Sequence, residues 1–339
     1  MRKRSRSQLP SADPDASDST PPPAITPAEL GFAVHEEPRG PNGEAIGWSK
    51  RVGEHWVSFR LLRRLPELLP IDGLQREVFG VSDYDLLAAG ELVSVAETGG
   101  EVIGAFVGAP GNDEELVGFS VGWGGYYRRR PRIVSEYLGV RADLRSFGLG
   151  AELKRLQAAI ALERGFVEMI WTVDPLRAVN ARLNFEKLGA FADRYEENRY
   201  GEGFAAGLYG GLPTDRLHVT WELTARRVHE RLLGDYTPLT AEDVLELRHF
   251  DSSATCRERA LIYLPSNIDL LIARDPNAAL RWRLTLRETL HRAFAAGYAI
   301  TGFVPDVDVG RGYAAYVIEK EGFVATDPSA GQNGDARRT

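Results

Sequence analysis

The chain has 339 residues, 43% of them apolar, and its 41 basic and 48 acidic side chains leave a net charge of −7. That length suits one large or two medium domains with a sizeable core, and the acidic balance argues against a broad nucleic-acid-binding surface. The lone cysteine, Cys256, excludes an internal disulfide framework and a cysteine-rich zinc site. The histidines show no metal-ligand spacing, so no metal is expected. Neither a membrane span nor a secretion signal is seen, which points to the cytoplasm.

Residues 1–28 are rich in Ser, Pro, Asp and Arg and read as a disordered tail, and residues 325–339 read as a second. Leu68, Ile71, Leu74 and Val78 follow a helical period, interrupted by Pro70 and Gly73. Residues 92–96 and 102–107 read as strands joined by the Gly99-Gly100 turn. Strands are expected at 117–123 and 133–140, separated by a polar hairpin loop at 126–132. A helix then carries Leu149, Leu153, Leu156 and Ile160 on one face, with Gly165 placed to end it. A strand follows at 166–173. Asp174 and Pro175 read as the cap and first residue of another helix, so Asp174 is a cap rather than a catalytic acid. Strands are expected at 191–195 and 217–223. Beyond a boundary near residue 225 come strands at 261–264 and 270–273, a long helix opening at Asp275-Pro276, and strands at 298–304 and 313–318.

The stretch from Glu136 to Gly150 carries the chemistry. It reads as a strand that breaks into a glycine turn and starts a helix. Arg145, Ser146, Phe147, Gly148, Leu149 and Gly150 spell Arg-x-x-Gly-x-Gly. A glycine turn opening a helix leaves backbone N–H groups unpaired at the positive end of the helix dipole, a site for phosphate. A Walker loop would end in Gly-Lys-Ser/Thr, whereas this one ends Gly150-Ala151-Glu152. A dinucleotide fold needs Gly-x-Gly-x-x-Gly in its first parallel unit, which is also absent.

The turn resembles that of the GNAT superfamily of acyl-CoA-dependent N-acyltransferases, in order and spacing over residues 90–223. Residues 60–323 are similar to one little-described branch of it. The likeness is carried by Leu74-Gln75-Arg76-Glu77-Val78-Phe79-Gly80-Val81-Ser82, Trp171-Thr172-Val173-Asp174-Pro175-Leu176, Asn180-Ala181, Asn184, Leu188-Gly189-Ala190, Pro213-Thr214-Asp215-Arg216 and Trp282-Arg283. The resemblance implies a mixed α/β fold, with a seven-stranded mixed sheet whose fourth and fifth strands splay apart. That domain would occupy residues 29–224. A smaller C-terminal α/β region, 225–324, would pack near the acceptor pocket. The implied cofactor is acetyl-CoA or another acyl-CoA. Its pyrophosphate would lie on Arg145 to Gly150 and its pantetheine on the backbone of Leu138 and Val140, with Asn180 and Asn184 as further contacts. The implied reaction moves an acetyl or succinyl group to a small amine, an amino acid among the candidates, by direct attack in a monomer or homodimer. Two alternatives stand beside it: a protein N-acetyltransferase, and a non-catalytic acyl-CoA-binding regulatory module.

An attacking amine must lose a proton, and Glu136 is the candidate base. It lies four residues before Val140, so strand periodicity puts the two on one face. The resemblance implies a histidine at this place, and the alternative role of Glu136 is an ion pair with Arg132. The tyrosine that serves the family as acid is replaced by Phe185, which reads as core packing. Tyr195 and Tyr200 are remote candidates. The Tyr126 to Arg130 cluster is either a solvated loop or an anion contact. Asp215 and Arg216 read as a turn ion pair. Arg283 and Arg287, in an apolar helical stripe, want carboxylates, from an interdomain salt bridge or from a substrate.

Overall fold

Strands β1 (Ala33–Val34), β2 (Gly47–Val52) and β3 (His55–Leu61) open the chain, followed by helices α1 (Leu65–Phe79) and α2 (Ala89–Glu97). This computed structural model describes residues 24–41, 43–108, 114–127, 130–201, 210–250, 258–308 and 310–320. β4 (Glu101–Val107), β5 (Glu115–Tyr127) and β6 (Arg130–Val140) form a meander, and a 3-10 turn, Ala142–Phe147, leads into α3 (Leu149–Glu163). Then come β7 (Glu168–Val173), α4 (Ala178–Ala181, continued by a π-helical turn Arg182–Lys187), β8 (Phe191–Glu196), β9 (Arg216–Glu222) and α5 (Arg226–Leu233). The chain finishes with β10 (Arg259–Pro265), α6 (Ile268–Arg274), α7 (Pro276–Ala295), β11 (Tyr298–Asp308) and β12 (Tyr313–Lys320).

All these strands lie in one 12-stranded sheet of order β1-β2-β3-β4-β5-β6-β7-β9-β8-β11-β12-β10. The expected sheet of seven strands is therefore corrected. The chain before α1 adds a hairpin at one end, and the C-terminal strands continue the other end by pairing β11 with β8 at Ile300 and Ala192. Neighbouring strands are antiparallel except β6 and β7. Strand alternation sends side chains to two layers. Val102, Phe119 and Val121 pack with Leu68, Ile71, Leu92 and Val95 of α1 and α2. Ile103, Ala105, Val117 and Ile133 belong to the cluster that holds Leu149, Leu153 and Leu156 of α3.

Several local expectations change. Residues 92–96 belong to α2, because Ala89, Leu92 and Val95 sit one turn apart and all are buried. Residues 270–273 belong to α6, capped by the Asn267 side chain accepting from the Leu270 N–H. The hairpin at 126–132 is strand almost to its tip, with Tyr127 opposite Arg130; Arg128 and Arg129 lie outside the described residues. β2 and β3 follow an alternating pattern around Gly53, with Trp48, Val52, Val57 and Phe59 buried. Of the expected tails, residues 1–23 and 325–339 lie outside the described residues, as do residues 321–324 of the extension, while Ile25 packs in the core at 2% exposure. The long helix is as expected: Asp275 Oδ1 accepts from the Ala278 N–H and Pro276 follows it.

Candidate acyl-CoA site

β6 is held along its length by β5, from Tyr127 opposite Arg130 to Gly118 opposite Val140. β7 is held along its length by β9, from Glu168 opposite Glu222 to Val173 opposite Leu217. Toward each other they pair only at Ile133 with Met169 and Val134 with Ile170. Past that point the two strands diverge into a fork, and their facing edges carry no ladder bonds. An open strand edge offers its N–H and C=O groups to an extended ligand.

A β-bulge helps to open the fork. Val121 faces Tyr137 and Gly122 faces Ser135, so Glu136 is the extra residue. A bulge bends its strand and breaks its period. Ser135 before it bonds Gln157 of α3. Leu138 and Val140 after it lie 3.7 Å from a Cβ built on Gly150 of the same helix. Counting by twos across this point therefore fails, and the inference that Glu136 shares a face with Val140 is corrected. Glu136 is exposed. It makes no ion pair among the described residues, since Arg132 pairs with Glu168 at 2.6 Å instead.

The glycine turn stands at the mouth of the fork, where β6 ends. Gly148 caps α3 with φ +88°, a left-handed conformation, and its carbonyl accepts from the N–H groups of Ala151 and Glu152. The N–H groups of Leu149 and Gly150 have no acceptor among the described residues. Arg145 donates from Nε to the Val140 carbonyl at 3.0 Å, tying the turn to the strand end. Ser146 is exposed. Leu149 is buried in the core, so its backbone alone is available. The Phe147 ring turns away and meets His55 edge-on at 5.0 Å.

Asn180 and Asn184 are not brought to the turn by any hydrogen bond among the described residues. Asn180 is exposed and Asn184 is 3% exposed. Phe185 is fully buried, edge-on to Tyr316 at 5.7 Å, as core packing requires. The Tyr195 hydroxyl donates to Asp215 at 2.6 Å, and burial together with that carboxylate pushes its pKa up. The Tyr200 N–H donates to Thr214 Oγ1.

Sequence reading missed the group at the base of the fork. Lys154 of α3 is 3% exposed and donates from Nζ to Ser135 Oγ at 2.6 Å. Ser135 Oγ donates in turn to Gln157 Oε1 at 3.0 Å. Nζ also lies 3.9 Å from the Trp171 ring centre. Burial pushes the ammonium down to about 7, against the pull of Glu101. Glu101 is fully buried, neither of its carboxylate oxygens has a hydrogen-bond partner, and burial pushes it up to about 8. The available signal was a lysine one turn after Gly150, flanked by Leu153, Gln157 and Ala158 on a helix face that is otherwise buried.

The stripe arginines of α7 find protein carboxylates. Arg283 meets Asp174 at 2.8 Å, and Arg287 grips both oxygens of Asp215, at 2.7 and 2.8 Å. Asp174 is therefore no helix cap: its Oδ1 accepts from the Leu176 N–H and the helix starts later, at Ala178. Asp215 does not pair with Arg216, which reaches the Thr172 carbonyl instead.

No family model matches the sequence, and no curated protein matches it. Solved structures with similar folds include the NatC complex bound to Gag peptide and CoA, at 16% identity over 50% of this chain and 99% of that one, with TM-score 0.40. A GNAT-family protein from Desulfovibrio desulfuricans has 16% identity over 49% of this chain and 99% of its own, with TM-score 0.39. The ribosomal-protein alanine N-acetyltransferase from Escherichia coli has 13% identity over 50% and 95%, with TM-score 0.39.

Proposed function

We propose that this protein is an acyl-CoA-dependent N-acyltransferase that moves an acetyl or succinyl group to a small amine. One observation carries the reading: two neighbouring parallel strands are joined at only two positions, and the N-terminus of α3, whose Leu149 and Gly150 N–H groups have no acceptor among the described residues, stands at the open end. A pyrophosphate suits the N–H groups of Leu149 and Gly150 and the positive end of α3. A pantetheine, with its two amides, suits the open edge of β6 from Ser135 to Val140.

When bound, acyl-CoA supplies an activated carbonyl carbon and a thiol leaving group. The chain's part is to hold the thioester in the fork beside the acceptor amine, so that two reactants behave as one. Glu136, exposed on the bulge, accepts a proton from the amine. Residues 29–224 would form the transferase body and 225–324 its extension. The Arg283–Asp174 pair ties that extension to the end of β7.

Calorimetric binding of CoA, followed by thiol release from acetyl-CoA and succinyl-CoA across a panel of amines, tests the proposal. Release with an amino acid or other small amine is the expected outcome. Release only with peptides favours a protein N-acetyltransferase. Binding without release favours a regulatory module, a reading to which the hydroxyl-free Phe185 lends weight. Absence of CoA binding overturns all three.

A further inference from the structure

The last parallel pair of β6 and β7 is Val134 with Ile170, so Ser135 and Trp171 are the first residues past it. Lys154 Nζ touches both, at 2.6 Å from Ser135 Oγ and 3.9 Å from the centre of the Trp171 ring. The ammonium therefore stands at the apex of the fork, on the α3 side. The ammonium makes no ion pair among the described residues, and its charge reaches the Glu101 carboxyl only at longer range. Burying an ammonium is costly unless its donors are met. Here the partners are a hydroxyl, the Gln157 amide oxygen at a long 3.4 Å and an indole face. β9 contributes only a more distant ring, Trp221 at 5.8 Å. The charged group facing it is Glu101 of β4, which itself lies 3.9 Å from Arg164, the residue after α3.

We propose that Lys154 donates the proton that the departing thiolate takes at the apex of the fork. The proposal rests on the acyl-CoA reading above. The amine nitrogen bonds to the thioester carbonyl carbon, the C–S bond breaks, and its electron pair stays on sulfur. The Nζ proton passes to sulfur and gives the free thiol. The proton shed by the new amide nitrogen restores the ammonium, and the proton first lost by the protonated amine leaves through Glu136 to solvent. Phe185 cannot supply that proton, and Tyr195 is engaged with Asp215. Low proton affinity suits Lys154 to the task, since a donor works best when its pKa lies near the working pH.

The test uses the full chain and CoA itself, with no acceptor required. The thiol of bound CoA is titrated by its ultraviolet thiolate absorbance. The lysine and the thiol titrate there as a coupled pair, and the ammonium–thiolate contact lowers the thiol's apparent pKa, by about one pH unit or more, which is a tenfold change in thiolate fraction. Lys154→Met should abolish the shift, Lys154→Arg should keep it, and both should bind CoA within about threefold of the wild type. Purely structural roles for Lys154 would leave the thiol titration unmoved. If the thiol of CoA bound to wild-type protein titrates as it does free, the Lys154 proposal is overturned and the acyl-CoA reading stands. That result needs no variant to fold. Failure of the wild type to bind CoA overturns the acyl-CoA reading and this proposal with it.

Discussion

Arg283 and Asp174 meet at 2.8 Å with side chains 1% and 5% exposed, joining α7 to the end of β7. Burial alone would raise the Asp174 carboxyl. The Arg283 charge and hydrogen bond and the Leu176 N–H outweigh burial and hold it below its ordinary value. Removing one partner of a buried pair strands the other, and Arg283 already has Nε and one terminal nitrogen without partners. Asp174→Ala is expected to cost about 3–5 kcal/mol in urea unfolding. The folded pKa lies below the unfolded value of about 3.9. The pair's stabilisation is therefore present above that value and lost as pH falls through the folded pKa. The variant should lack this acid-side loss.

Alanine separates Gly148 from Gly150. A Cβ on Gly148 meets no atom within 4 Å, but φ is +88°. Gly148→Ala should cost about 1–2 kcal/mol through backbone strain. Gly150 is helical, and its added Cβ makes ordinary contacts at 3.7 Å. Gly150→Ala should leave stability equal or raise it by up to about 1 kcal/mol. That Cβ points at Leu138 and Val140 and leaves the turn's N–H groups open, so CoA affinity, measured by calorimetry, should stay within about threefold of the wild type. A loss of about tenfold or more would mean that the ligand packs against that carbon.

Glu136 is exposed and without an ion-pair partner among the described residues, so Glu136→Gln should leave stability within about 0.5 kcal/mol. Its kcat/KM for thiol release should fall by about 10²–10⁴ and lose the acid limb of its pH profile. The base role fails if kcat/KM is unchanged across pH.

Glu101 is a fully buried carboxyl with no hydrogen-bond partner among the described residues. Burial raises it to about 8, with Arg164 and Lys154 pulling the other way. Between the unfolded value of about 4.3 and the folded one, the native state binds more protons than the unfolded chain, so this residue lowers stability as pH rises. Glu101→Gln should melt at an increasingly higher temperature than the wild type as pH climbs through that window. Melting curves that stay parallel across it would refute the assignment.

What the chain's order of residues determined was local. The helix with Leu149, Leu153 and Leu156 on one face is legible because its period is set by near neighbours, and so is the glycine that must start it. The Asp275-Pro276 cap is legible because its hydrogen bond closes within three residues. Short apolar runs such as 92–96 and 270–273 fit either a strand or a helix, and packing chose helix for both. The extension of the sheet to 12 strands was decided by edges that meet across long separations, as Ala192 meets Ile300. The fork was decided the same way, because β6 and β7 are held apart by their outer partners β5 and β9. A single inserted residue at Glu136 overturned a period that counting had trusted. The carboxylates wanted by Arg283 and Arg287 are Asp174 and Asp215, 109 and 72 positions earlier in the chain. Sequence determined that a glycine turn opens α3; only the tertiary structure brought a buried lysine to the point where β6 and β7 part, since that apex exists only once the successive elements β6, α3 and β7 are packed together.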